Sequence, residues 1–264
     1  MTSNSISPAA ASDRAARGND TIWFILLWVV WAVFLVGAMA LGNLGGSHGA
    51  ALPTAARMGS SVTLVLTAWL AYFLWRAGSA RRVLLCVAIG MTLGAVGDFF
   101  NAGWLDFVPV LHGTLGGIAA FGLGHIAYIT GAIDLGRRAG IIRRSTMLAA
   151  VLVWQLVGLV GWYFVVMQGD ENRDLVWPAL PYSLLLAGTA GVTSGLALVD
   201  RRLGALALGA ALFLASDLIL AFGLFRGHFS YQTEAVWLTY GPGQMLIVFS
   251  ALSAVALLGP TGTD

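Results

Sequence analysis

Charge is what this sequence has least of. Charged residues are 10% of its 264 residues, where soluble domains carry about 25%. Lysine is absent, so all 14 basic residues are arginine, and the formal net charge is only +2. With 58% hydrophobic residues and a mean hydropathy of +0.84, a water-facing surface cannot be built around the chain, and lipid must be the solvent for most of it. Cysteine is almost absent as well. A single residue, Cys86, excludes an internal disulfide, and its apolar surroundings mark it as packing. No basic stripe, zinc-ligand spacing or phosphate-binding loop is present, which excludes nucleic acid as a partner and sets aside nucleotide chemistry.

What the chain has in abundance is long apolar runs. A crossing of the hydrocarbon core takes about 20 apolar residues, and eight such runs are legible, at 22–41, 55–75, 83–101, 116–135, 146–167, 178–199, 203–225 and 236–258. Because backbone groups in lipid must find partners within the segment, each run is expected to be a helix. The expected fold is all-α, an eight-helix transmembrane domain over residues 21–260, preceded by a polar, disordered cytoplasmic tail over 1–20. Eleven arginines fall in the tail and in the connectors near 76–82, 136–145 and 200–202, against three (Arg57, Arg173, Arg226) at the other ends. That asymmetry places both termini in the cytoplasm of a multi-pass protein of the cell (inner) membrane. The stretch "VGAMALG" has the look of a signal-peptidase site, but the run before it is long for a leader and is read as a retained span.

Small residues four apart (Gly90 and Gly94, Gly113 and Gly117, Gly191 and Gly195) allow close helix approach in lipid. An offset of 119 residues brings Asp98 onto Asp217, Gly97 onto Ser216, Arg82 onto Arg201, Gly90 onto Gly209, Phe121 onto Tyr240 and His125 onto Gln244. This pattern suggests two parallel four-helix halves. It puts the two aspartates, His125 and Gln244 at similar depth in the outer half of the bilayer.

Two carboxyls in apolar runs need explaining. A central Asp costs about 2.5–3.5 kcal/mol on insertion scales, so Asp98 and Asp217 should face the interior with partners. Helix spacing names them. Asn101 shares a face with Asp98, Tyr128 and Phe121 with His125, and Tyr240 with Gln244, while Tyr182 beside Pro181 is a weaker candidate. The plain alternative is that each Asp merely tethers neighbouring helices. An Asp–Asp–His metal set is a rival, but His112 and His125 would face apart on a helix, and His48 and His228 fall in loops. Ser216 lacks a nucleophile-elbow context.

These residues carry a resemblance. "GAVGDFF", "GIAAFGLGHIAY", "GAALFLASDLILA" and "YGPGQMLI" resemble, in order, the motifs of the YhhN/TMEM86 family of membrane lysoplasmalogenases. The matching positions are Gly97-Asp98, then Phe121, His125 and Tyr128, then Phe213, Ser216 and Asp217, then Tyr240, Gln244, Leu246 and Ile247. The resemblance covers about residues 60–258. It departs at Pro242-Gly243, where a proline is expected to kink the last span and reshape the pocket. The resemblance implies hydrolysis of the vinyl ether bond of a lysophospholipid taken from the bilayer, releasing a fatty aldehyde and a glycerophospho-alcohol.

The residues suit that chemistry. Protonation of the double bond gives an oxocarbenium ion, water captures it, and the hemiacetal collapses. Two carboxyls sharing one proton supply acid and base together, as in glycoside hydrolysis. Asp217 is the expected acid, because "FLAS" and "LILA" make its surroundings the drier. Asn101, His125, Tyr128, Tyr182, Tyr240 and Gln244 would hold the ether oxygen, the water or the glycerol hydroxyl, with no metal or cofactor required. A proton-coupled transporter is the other class that paired membrane acids and parallel repeats fit. The oligomeric state has no signature in the sequence.

Overall fold

The computed structural model describes residues 8–44, 51–107 and 113–259, with the side chains of 8–21, 43 and 44 outside the described set. Eight helices run in chain order: α1 Pro8–Leu44, α2 Ala51–Trp75, α3 Arg81–Asn101, α4 Gly113–Arg138, α5 Arg144–Gly161, α6 Val176–Ala197, α7 Gly204–Arg226 and α8 Gln232–Leu258. A π-helical turn, Trp162–Met167, extends α5. Each helix supplies a segment long and apolar enough to cross a membrane, the first being Ile22–Gly42 within α1. The chain is an all-α, multi-pass membrane protein, and among the described residues there is no strand. The eight apolar runs coincide with these spanning segments to within a few residues at each end. Of the expected tail, residues 1–7 lie outside the described residues, as do His48 and His112, whereas the backbone from Pro8 continues into the first span as one helix.

Consecutive helices pack against each other within each half of the chain, α1 to α4 and α5 to α8. The halves meet where α4 lies on α6 and where α8 lies on α2. These two seams exchange under the 119-residue offset, which carries α2 onto α6 and α4 onto α8. The offset also recurs at single residues. A Cβ on Gly124 would stand 3.0 Å from the carbonyl oxygen of Gly90, and one on Gly243 would stand 3.0 Å from that of Gly209. Both members of the α3–α4 crossing thus reappear, 119 positions on, in the α7–α8 crossing. Close backbone approach of this kind is what small residues permit in lipid. Helix α8 runs through Pro242 without a break.

At the end of the bundle that carries residues 102–107 and the 227–231 connector, the chain between the π turn and α6 closes over the end of α7. The amides of Asp170 and Glu171 donate to Phe225 O (2.9 and 3.2 Å), and Asn172 Nδ2 donates to Leu224 O. These bonds occupy carbonyls that a helix end leaves free. At the opposite end, Asp200 accepts from the Arg202 amide (3.0 Å) and pairs with the Arg202 guanidinium at 2.6 Å, fixing the entry to α7.

Candidate active site

Asp98 lies three residues before the end of α3, yet it is only 5% exposed. Its Oδ2 accepts two hydrogen bonds, from Ser61 Oγ of α2 (2.5 Å) and from Tyr240 Oη of α8 (2.9 Å). Behind Tyr240 the bonds continue in one sense. Tyr128 Oη of α4 donates to Gln244 Oε1 (3.0 Å), and Gln244 Nε2 donates to Tyr240 Oη (3.1 Å). Every donor in this series points toward Asp98, so each bond polarises the next in the same direction. The glycines of "GAVGDFF" make room for it. A Cβ on Gly94 would lie 2.7 Å from Gln244 Nε2, and one on Gly97 would meet the ring of Phe121 at 2.6 Å.

Asp217 sits midway along α7. Its Oδ2 accepts a short hydrogen bond from Tyr182 Oη of α6. Ser216 Oγ donates to Phe213 O at 2.7 Å and stands 3.4 Å from Asp217 Oδ1, so its single proton belongs to the carbonyl. The two aspartates therefore have equivalent settings, each held by a hydroxyl from the preceding helix of its own half. Ser61 and Tyr182 fall within two positions of the 119-residue offset. The asymmetry lies in the second donor. Tyr240 reaches Asp98, whereas its counterpart Phe121 has no hydroxyl to offer Asp217.

Both carboxyls line one cavity of about 230 Å³, with the buried Phe121 and Tyr240 on its wall and the exposed Asn101 and His228, beside the half-buried Arg57 and Trp237, toward its mouth. A smaller hollow of about 50 Å³ lies between α4, α6 and α7, walled by Ile118, Leu175, Ala179, Ala221, Leu224 and Phe225. Asn101, Phe121, Asp217 and Leu220 border both spaces. Asp217 thus stands between a chamber that carries charged and polar side chains and one lined almost wholly by apolar side chains. Asp217 is half-buried where Asp98 is buried. Sequence neighbours report only the helix itself, whereas the cavities beside it decide the exposure.

The ion pairs among the described residues join Arg82 and Arg138 to Asp134, and Arg202 to Asp200. None involves Asp98 or Asp217, so the two carboxyls face one another's cavity without a paired cation. Such an arrangement can pass a proton between a donor and an acceptor across a small bound molecule.

The architecture decides where a family likeness would have to hold, and the comparison supplies one. The chain matches the YhhN family over residues 55–251. It belongs to the YhhN family. A curated relative, lysoplasmalogenase TMEM86A of Bos taurus, is 30% identical over 195 residues, covering 69% of this chain and 70% of that one. No solved structure matches the chain.

Within this YhhN chain, the residues singled out from sequence separate into layers. Asp98, Asn101, Asp217 and Tyr240 line the larger cavity. Tyr182 lines the smaller one and holds Asp217. Tyr128 and Gln244 stand behind Tyr240 as its supports and do not border the cavity with the carboxyls. His125 is 1% exposed and lies apart. Its Nδ1 is 2.9 Å from Thr189 Oγ1, which already donates to Leu185 O, so the histidine donates there. Its ring packs on Phe213 at 4.5 Å, and Nε2 is buried without a partner. His125 therefore does not join the two aspartates as a third ligand, and among the described residues no three His, Cys, Asp or Glu converge as a metal-holding group.

Sequence reasoning missed the contribution of α2. Thr54, Arg57 and Ser61 follow at i, i+3 and i+7, one polar face on an apolar helix. That pattern was the available signal for Ser61 against Asp98 and for Arg57 at the cavity mouth.

Proposed function

We propose that this YhhN chain hydrolyses the vinyl ether bond of lysoplasmalogens, with Asp98 and Asp217 as an acid–base pair. The observation that carries the reading is that the two carboxyls, from helices equivalent under the 119-residue offset, border one cavity, each held by a neighbouring hydroxyl and neither paired with a cation. The name of the bovine relative supports the substrate class.

Protonated Asp217 gives its proton to the outer carbon of the double bond, and the positive charge moves to the carbon bearing the ether oxygen. Asp98, anchored through Oδ2 by Ser61 and Tyr240, takes a proton from water as the water oxygen bonds to that carbon. The hemiacetal then breaks its bond to the glycerol oxygen, which takes the proton from Asp98, while the hemiacetal hydroxyl gives its proton to Asp217 and the carbonyl of the aldehyde forms. One water is consumed, and the pair ends with the proton it began with. Asp217 takes the acid role because it borders the apolar hollow between α6 and α7, where the alkenyl chain enters from the bilayer. Asn101, on the wall common to both spaces, is placed to hold the ether oxygen or the water. By the arginine distribution, the cavity opens on the non-cytoplasmic side.

Asp98→Asn and Asp217→Asn keep the side-chain shape and remove the proton chemistry. Each should lower aldehyde release from a lysoplasmalogen by at least about 10²-fold in purified protein whose thermal melting is unchanged. Near-normal turnover in either variant sinks the paired mechanism. Proton-dependent uptake into proteoliposomes without any lipid product would favour the transporter class instead.

A further inference from the structure

The mechanism uses the carboxyl end of the larger cavity and leaves its mouth without a task. Arg57 lines that mouth as its one arginine, on α2 with Thr54, across from His228 and Thr233 of the α7–α8 end. It is half-buried, and its Nε is enclosed without a hydrogen-bond partner among the described residues. Glu234 lies nearby. Its Oε1 and the Arg57 Nη2 each lie 3.6 Å from where a Cβ on Gly42 would stand, yet the two side chains form no ion pair among the described residues. A half-desolvated guanidinium that meets Glu234 only at longer range, with no direct ion pair among the described residues, is a ready partner for a bidentate oxyanion.

Its height in the bundle is set by α2. Arg57 precedes Ser61 by four residues, about 6 Å along the helix axis, and Ser61 marks the level of the Asp98 carboxyl. In a glycerol-based lysolipid five bonds separate the sn-1 ether oxygen from the phosphorus, roughly 6 Å when extended at ordinary covalent lengths. The two separations agree. A vinyl ether held at the carboxyls therefore brings its phosphate level with the arginine.

We propose that Arg57 is a phosphate-binding residue that takes the phosphodiester of a single-chain lipid, so that the cavity selects substrates carrying an anionic headgroup. The assignment rests on the hydrolase reading above for its substrate, but its test does not require turnover. Equilibrium binding in nanodiscs is measured for a saturated 1-O-alkyl lysophospholipid, which the enzyme cannot cleave, and for the matching 1-O-alkylglycerol, which lacks the phosphate. The wild type should prefer the phosphate-bearing lipid by about tenfold or more, since hydrogen bonds to charged groups carry that weight. Arg57→Gln should lose the preference while still binding the alkylglycerol, and Arg57→Lys should retain part of it.

A wild type that does not distinguish the two lipids, or an Arg57→Gln variant that still does, overturns the proposal. If Arg57→Gln binds neither lipid, Arg57→Lys decides: a retained preference supports the anion site, and equal binding of both lipids refutes it. Competition separates the possible sources of the anion. Displacement by inorganic phosphate as effective as by the lysolipid makes this a free-phosphate site and refutes the headgroup assignment. Absence of aldehyde release from a lysoplasmalogen, with the binding preference intact, defeats the hydrolase reading alone.

Discussion

At the scale of single residues, the site is governed by hydroxyls and by the absence of side chains. Ser61, Tyr182 and Tyr240 fix the two carboxyls, and Gly94 leaves the space in which Gln244 can turn its amide to Tyr240. Gly94→Ala should push Gln244 off Tyr240, because its new methyl would lie 2.7 Å from Nε2. Overpacking of this kind costs about 1–3 kcal/mol. The expected outcome is a lower melting temperature in detergent together with a fall in aldehyde release, although Gly94 touches no substrate. A variant with lowered melting and full turnover would show that the Tyr128–Gln244–Tyr240 series does not tune Asp98. The acceptors on α3 and α7 were legible because a carboxyl in an apolar run announces itself. Ser61 was not, because a serine inserts in lipid at little cost and leaves no anomaly to notice.

At the scale of elements, helix ends were less legible than helix interiors. Apolar runs locate the spans, since lipid admits no other backbone. Capping depends on single polar groups whose partners are set by how the chain turns. Asp200 is such a group. Hydrogen bonds from the Arg202 side chain and amide, reinforced by the guanidinium charge, hold its carboxyl below the usual carboxylate range. A lowered folded-state value means that its stabilising contribution is present above the unfolded value of about 3.9 and is lost as pH falls through the folded one. Asp200→Asn keeps a capping oxygen and removes the charge. The variant should melt below wild type at neutral pH, and the gap should close on acidification. A gap that persists in acid would show that the carboxylate charge is not what the variant loses.

At the scale of the whole molecule, the recurring offset makes a paired prediction. Gly124→Ala and Gly243→Ala each place a methyl 3.0 Å from a backbone carbonyl, of Gly90 and of Gly209 respectively, and neither carbonyl can swing aside as a side chain would. Both variants should lower the melting temperature by similar amounts, by the same overpacking cost of about 1–3 kcal/mol. Sharply unequal losses would mean that the two crossings are not mechanically equivalent. The sequence offset anticipates this equivalence at Gly90 and Gly209, and it anticipates the counterpart aspartates. It does not anticipate which equivalent positions diverge in role. Gln244 supports the Asp98 donor series, while His125, its counterpart, turns to Thr189. That difference follows from one hydroxyl, present on Tyr240 and missing on Phe121.

Asp217 shares its wall with two chambers, one bearing charged and polar side chains and one almost wholly apolar. In the proposed reaction, a bond broken there would leave its fragments in different surroundings, the aldehyde among hydrocarbon and the phosphate-bearing glycerol on the polar side. Separation of the pieces thus needs no further rearrangement of the bundle, and recombination is discouraged by the partition itself.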